Sequence, residues 1–251
     1  MERTETAQQR ADAPARGSGC LHSLGASACA DCRVRQISIC SALDDHELTE
    51  IDALSHPTAF AAKATLFSQD DPASAVFNIT EGMVRLYRLL PDGRRQIVGF
   101  ALSGDFLGLA LLDRYGVSAD AIVDTKVCRF SRSTFTAFLD KKPHLLRRLH
   151  EFASHELSLA QDQMVLLGRR TADERVAAFL MSLVERFARI GHTSITLPLP
   201  MSRQDIADFL GLTIETVSRT FSKLAKSGAI VVVPEGVRLT NLPQIKALAT
   251  R

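Results

Sequence analysis

The chain has 251 residues, 46% of them hydrophobic and 23% charged, with 30 basic against 28 acidic side chains and a net charge of +2. That profile fits one or two globular domains and excludes a disordered, collagenous or purely coiled-coil chain. No apolar run approaches the ~18–20 residues that cross a bilayer. With the charges nearly balanced, any basic surface for nucleic acid must be local.

Residues 1–19 are polar with no apolar core, so they are read as a flexible tail rather than a secretory signal. Residues 20–43 hold four of the five cysteines, Cys20, Cys29, Cys32 and Cys40; the fifth is Cys128. Without an export signal the expected compartment is the reducing cytoplasm, where clustered cysteines point to metal chemistry before disulfides. Four thiolates from Cys29, Cys32, Cys40 and Cys128 suit either a structural zinc or an iron–sulfur cluster. The single x2 pair and the distant fourth cysteine favour the cluster, because zinc ribbons usually show two such pairs. Cys20, nine residues from its nearest partner, is read as a non-ligand.

Apolar residues spaced along 44–55 predict a short one-sided helix. From about Phe60 to Phe138 short apolar runs alternate with turn chemistry at Glu81-Gly82, Pro91-Asp92-Gly93 and Ser103-Gly104-Asp105. Several short strands at that spacing predict a small sandwich or barrel-like roll over 44–142. Pro143, at a helix-starting position, opens a breaker-free stretch to Gly168, a predicted helix of ~26 residues and ~39 Å. Along it Leu146, Leu149, Ala153, Leu157, Ala160, Met164 and Leu167 recur every three or four residues, opposite Arg147, Arg148, Glu151, His155 and Asp162. A ~39 Å stripe outreaches a domain of this size, so Leu149, Ala153, Leu157, Ala160, Met164 and Leu167 are expected to form a homodimer interface over helix 143–169.

The remaining unit, 170–251, opens with a capping box at Thr171-Ala172-Asp173-Glu174 and a helix with Val176, Phe179, Leu180, Leu183, Val184 and Phe187 on one face. A proline-punctuated stretch, Leu197-Pro198-Leu199-Pro200, follows. Ser202 then caps a short helix, Gly211-Leu212-Thr213 makes a tight break, and Thr213 caps a second helix from Ile214 to Ser227 with Val217, Phe221 and Leu224 inward. Two short helices on a glycine turn, followed by a hairpin over 230–239, describe a winged helix-turn-helix. On the outer face of the second helix, Glu215 can accept from cytosine and Arg219 can donate to guanine, with Ser218 beside them as a third base contact. Ser202, Arg203, Thr213 and Lys223 are the expected backbone contacts, with Lys226 continuing the basic edge. The seven histidines form no HExxH or triad pattern and there is no phosphate loop, so no catalytic residue and no enzyme is expected; nor is any cysteine or histidine pair evident for haem.

Taken together, Gly104-Asp105-Phe106-Leu107-Gly108, Glu174-Arg175-Val176-Ala177-Ala178-Phe179 and Leu212-Thr213-Ile214-Glu215-Thr216-Val217-Ser218-Arg219 resemble the Crp/Fnr transcription regulators over nearly all of the chain after residue 19. The last motif resembles the Fnr branch. The resemblance implies an α+β chain: an N-terminal jelly-roll-like β-roll, a long dimerisation helix and a C-terminal winged helix. It also implies a double-stranded TTGAT…ATCAA palindrome, read through Glu215, Ser218 and Arg219, and RNA polymerase as a partner. Fnr proteins hold a [4Fe–4S] cluster through three N-terminal cysteines and one in the β-roll, and oxygen converts it to a form that no longer supports dimerisation. The Cys-x2-Cys-x7-Cys spacing here matches an Fnr subgroup, and Cys128 falls where the fourth ligand is expected. Four thiolates on such a cluster leave about −2 of charge, which Arg33, Arg35, Lys126 and Arg129 flank. Cyclic nucleotide, the ligand of the Crp branch, is not expected. That pocket uses a glutamate where this chain has Leu109, and an Arg-Ser/Thr-Ala run where it has Val117-Ser118-Ala119. At Ala160 some Fnr proteins place an aspartate that opposes dimerisation, so this chain is expected to dimerise more readily.

Overall fold

The computed structural model describes residue 29, residues 31–108 and residues 113–250. The expected tail, Cys20 and Leu109 lie outside the described residues.

Alternating patterns fold 56–131 into two four-stranded antiparallel sheets. Strands β1 (His56–Phe60), β2 (Thr65–Phe67), β3 (Ala75–Glu81), β4 (Met83–Leu89), β5 (Arg95–Leu102), β6 (Phe106–Leu107), β7 (Ser118–Ala121) and β8 (Thr125–Ser131) pair in the orders β1-β8-β3-β6 and β2-β7-β4-β5. In β3 the residues Ala75, Phe77 and Ile79 point between the sheets, where they meet Phe67, Val84, Ala119 and Val127. Tyr115 stacks on Phe67 with centroids 4.1 Å apart, and its hydroxyl donates to the Ala75 carbonyl at 2.8 Å. Phe67, Phe77 and Tyr115 thus pack in the roll interior among smaller aliphatic side chains.

Each outer face of the roll carries a different unit. On the first sheet, Val76 and Phe130 pack against Ile39 and Cys40 of a short 3-10 turn, Leu48 and Ile51 of α1 (Asp45–Leu54), Phe135 and Phe138 of α2 (Arg132–Leu139), and Leu145 and Leu149 of α3 (Pro143–Arg169). Asp44 caps α1 in a reciprocal box with Glu47, whose carboxylate also holds Lys142 at 3.2 Å and His144 at 2.9 Å. On the second sheet, Met83, Ile97, Phe100 and Leu102 share one core with α4 (Ala172–Arg189), α5 (Arg203–Leu210) and α6 (Ile214–Lys226). The wing has three strands, β10 (Ile230–Val233) and β11 (Gly236–Leu239) joined by β9 (Thr196–Pro198) in the order β10-β11-β9, and α7 (Leu242–Ala249) closes the unit. The proline stretch thus supplies an edge strand, where a missing N–H costs no ladder bond.

Helix α3 runs 27 residues with Pro143 at its start, about 40 Å long. Its apolar stripe divides. Leu149 is 5% exposed and belongs to the N-terminal core, which corrects the expectation for that residue; Leu167 is half-buried against the helix-turn-helix core. Between them Ala153, Leu157, Ala160 and Met164 are exposed, and Leu146 extends the same stripe one turn toward the N-terminus. Among the described residues no helix is long and apolar enough to cross a membrane.

Candidate nucleic-acid interface and thiol site

The helix-turn-helix forms from its caps. The Ser202 hydroxyl accepts from the Asp205 N–H at 3.0 Å and donates to its carboxylate at 2.8 Å, starting α5. Gly211 ends it in the left-handed conformation, φ 61°. The Thr213 hydroxyl accepts from the Thr216 N–H at 3.2 Å and starts α6. Val217, Phe221 and Leu224 are buried, which fixes the rotation of α6 and leaves Glu215, Ser218 and Arg219 exposed side by side. The Glu215 carboxyl is held below the usual carboxylate range by its own backbone N–H, the Thr213 hydroxyl and the Arg219 charge. It is therefore an ionised acceptor, as contact with a cytosine amine requires.

Two of the expected backbone contacts are committed within the chain. The Arg203 guanidinium lies 3.5 Å from the centroid of the Phe221 ring, and burial lowers its pKa. Its first role is to fasten α5 to α6. The Lys223 ammonium pairs with Asp173 of α4, so a phosphate would have to displace that carboxylate. Ser202 and Thr213 keep exposed hydroxyls at the helix starts, although both also cap.

The four predicted cysteines come together on the outer face of the first sheet. Cys29, Cys40 and Cys128 share the core there, and Cys32 lies close enough to Cys40 and Cys128 for its charge to raise both of their pKa values. Cys128 occupies the middle of β8, opposite Pro57 on one side and Asn78 on the other. The Cys29 thiol donates to Asp52 at 3.4 Å. Burial first, then the charge of Asp52 and of Cys40 and Cys128, push Cys29 well above the ordinary thiol range. Burial raises Cys40 to about 11 and Cys128 to about 12, the latter helped by its sulfur neighbours and Asp52. These thiols keep their protons at neutral pH unless a cation takes their place. The sulfurs influence one another, yet among the described residues no three donors are gathered to the spacing of a single ion. Of the flanking cations, Arg35 pairs with Asp45 at 3.1 Å while its charge lowers Cys40, and Lys126 pairs with Glu81 at 2.7 Å. Arg33 and Arg129 are exposed.

Comparison with known proteins agrees with both halves. Residues 57–142 match the cyclic nucleotide-binding domain family and residues 174–248 the Crp-like helix-turn-helix domain family. The nitrogen fixation regulation protein FixK of Bradyrhizobium diazoefficiens is 53% identical over 88% of this chain and 93% of its own. The chain belongs to the Crp/Fnr family of transcription regulators. The transcriptional activatory protein AadR of Rhodopseudomonas palustris is also 53% identical, over 87% of this chain and 91% of its own. The solved structure of FixK2 from Bradyrhizobium japonicum superposes with a TM-score of 0.73 at 37% identity, covering 77% of this chain and 96% of FixK2. This Crp/Fnr member is thus a DNA-binding regulator and not an enzyme.

Three groups of residues hold the regulator together through partners that sequence pattern did not announce. Arg175 of α4 donates to the carbonyls of Arg170, Leu167 and Leu210 at 2.8–2.9 Å, joining the end of α3 to the helix-turn-helix. Arg95 of β5 pairs with Asp205 at 2.7 Å and Asp208 at 2.8 Å, and Arg85 bridges Asp120 and Asp205 at 3.0 and 3.2 Å, so α5 is clasped to the roll. At the Ser103-Gly104-Asp105 turn, Gly104 has φ 95° and a Cβ there would lie 2.8 Å from Ile37 of the cysteine segment. Its neighbour Asp105 pairs with Arg186 of α4. Arg175 lay within a motif already noted for its resemblance, but nothing in the spacing announced its three carbonyl partners.

Proposed function

We propose that the regulator senses oxygen through a [4Fe–4S] cluster held by Cys29, Cys32, Cys40 and Cys128, and that in low oxygen it binds a TTGAT…ATCAA-type palindrome as a homodimer. The observation that carries this reading is the approach of thiols from two segments 88 residues apart at their nearest (Cys40 to Cys128): Cys29, Cys40 and Cys128 share one packed wall, and the charge of Cys32 reaches Cys40 and Cys128. An all-thiol donor set suits a sulfur-loving centre. Bound there, the cluster supplies oxygen-labile chemistry.

The chain's own residues supply the rest. With their thiols tied together, residues 29–40 are fixed against β8 and against Leu145 and Leu149 at the start of α3. That holds α3 so that Ala153, Leu157, Ala160 and Met164 meet the same residues of a second copy. Two α6 helices then present Glu215, Ser218 and Arg219 to half-sites one helical turn apart. Moving a two-state equilibrium from mostly one side to mostly the other takes about 5.5 kcal/mol of differential binding, within reach of a four-thiolate centre. RNA polymerase is the expected further partner and the cytoplasm the expected location. No cyclic nucleotide is expected, since the chain has Leu109 and Val117-Ser118-Ala119 where that pocket needs a glutamate and an Arg-Ser/Thr-Ala run.

The test is iron and acid-labile sulfide analysis of anaerobically purified protein, with operator binding measured under argon and in air. The expected result is about four irons and four sulfides per chain, and operator affinity that falls in air and in Cys128→Ser. Zinc without sulfide, or equal affinity in air and argon, would overturn the reading.

A further inference from the structure

The wall behind the thiols contains one nearly inaccessible carboxamide, that of Asn78. Strand β3 reads Ala75-Val76-Phe77-Asn78-Ile79, and all five are nearly inaccessible, Asn78 at 2%. By alternation Asn78 stands on the side of Val76, the face that carries the thiols, and not on the side of Phe77 and Ile79. Its cross-strand neighbours are Cys128 on β8 and Phe106 on β6. Directly opposed residues in an antiparallel pair keep their Cβ atoms about 4.5–5.5 Å apart, so the carboxamide and the Cys128 thiol share one small space. The Asn78 Oδ1 is buried with no hydrogen-bond partner among the described residues. Natural cores rarely retain such an atom, and an orphan of this kind calls for a reason such as a redox role or a bound group. Phe106 offers it nothing.

A carboxamide can turn by 180° about its last torsion, exchanging Oδ1 for Nδ2 in the same volume. The orphan acceptor then becomes a buried donor beside a sulfur. Thiolate ligands of metal centres accept N–H bonds, and such bonds raise the reduction potential and hold the ligand in place.

We propose that Asn78 is a positioning residue for the thiol centre, its Nδ2–H donating to the Cys128 sulfur once that sulfur is a metal-bound thiolate. This rests on the iron–sulfur reading above. A metal-bound thiolate at Cys128 would give the carboxamide a charge-assisted hydrogen bond.

Two variants of similar volume test it. Asn78→Leu removes both donor and acceptor, and Asn78→Asp keeps the shape but replaces the donor with an acceptor. Both are to be purified anaerobically beside the wild type and scored by reduction potential, by the half-life of the visible absorbance in air, and by thermal melting of the metal-free protein. In each variant the potential is expected to shift downward and the half-life to shorten by about two- to tenfold, the factor one hydrogen bond makes. Metal-free Asn78→Leu is expected to melt no lower than wild type, because it deletes an unsatisfied group. Unchanged potential and half-life in both variants would overturn the proposal while leaving the cluster in place. A lower melting point of metal-free Asn78→Leu, matching its loss of cluster, would reduce Asn78 to a structural residue. Wild-type protein without iron and sulfide would instead remove the reading on which the proposal stands.

Discussion

Leu157 tests the dimer helix. It is 59% exposed at the centre of α3, flanked on the stripe by Ala153 and Ala160, which leave room for a close approach. Burying a whole leucine side chain is worth about 1.5–3 kcal/mol, so covering the exposed three-fifths is worth roughly 1–2 kcal/mol. A twofold interface covers it twice, roughly 2–4 kcal/mol per dimer. Truncation to alanine removes most of this, and the dimer dissociation constant of Leu157→Ala is expected to rise about 10- to 300-fold. Sedimentation velocity over a concentration series, on anaerobic protein, reads the change directly. Leu159→Ala is the control. Leu159 is 37% exposed and lies two residues on, about 200° around the helix from Leu157 and about 100° from Ala160, so its removal is expected to leave the dimer unchanged. Equal effects of the two substitutions, or no effect of Leu157→Ala, would refute the assignment of this face.

The other expectations concern the DNA face, the hinge and the acid limb. Arg219→Ala is expected to weaken operator binding by about 1–3 kcal/mol, roughly 5- to 150-fold, in fluorescence anisotropy. Its far-ultraviolet circular dichroism stays the same, because the side chain is exposed. Arg175→Met strands three carbonyls at the junction of α3 and the helix-turn-helix, and is expected to cost about 2–4 kcal/mol in urea denaturation. At Glu47, burial opposes ionisation, but the Asp44 backbone N–H, then Lys142 and His144, outweigh it and hold the carboxyl below its ordinary value. A depressed carboxyl contributes stability above its unfolded pKa that is lost as pH falls through the folded one. The acid limb of the stability profile, below about pH 4.5, should therefore be shallower in Glu47→Gln.

Most of the architecture was legible because each element carries its own local signal. The capping pairs Asp44 with Glu47, Thr171 with Glu174 and Ser202 with Asp205 all close as reciprocal boxes. The inward triad Val217, Phe221 and Leu224 orients α6 as its spacing implies. What the pattern could not say is which neighbour covers an apolar residue. Leu149 and Leu157 look alike in the stripe, yet one packs on Ile39 and Phe135 of its own chain and the other is open. Strand β9 was hidden by its proline, and α7 and α2 were too short to stand out. The thiol site was legible as residue types, but Asp52 entered it through the docking of α1 and Asn78 through strand register: Asn78 meets Cys128 because β3 and β8 pair, fifty residues apart in sequence. The clasp of Arg95 on Asp205 and Asp208 likewise joins residues more than a hundred positions apart.

Gly104 and Asp105 are consecutive, yet one receives Ile37 from the cysteine segment and the other grips Arg186 of α4. Displacing Ile37 need cross only a single peptide link to be felt by the half of the molecule that reads DNA. The cysteine segment and α4 thus meet the roll at one turn, away from the exposed stripe of α3.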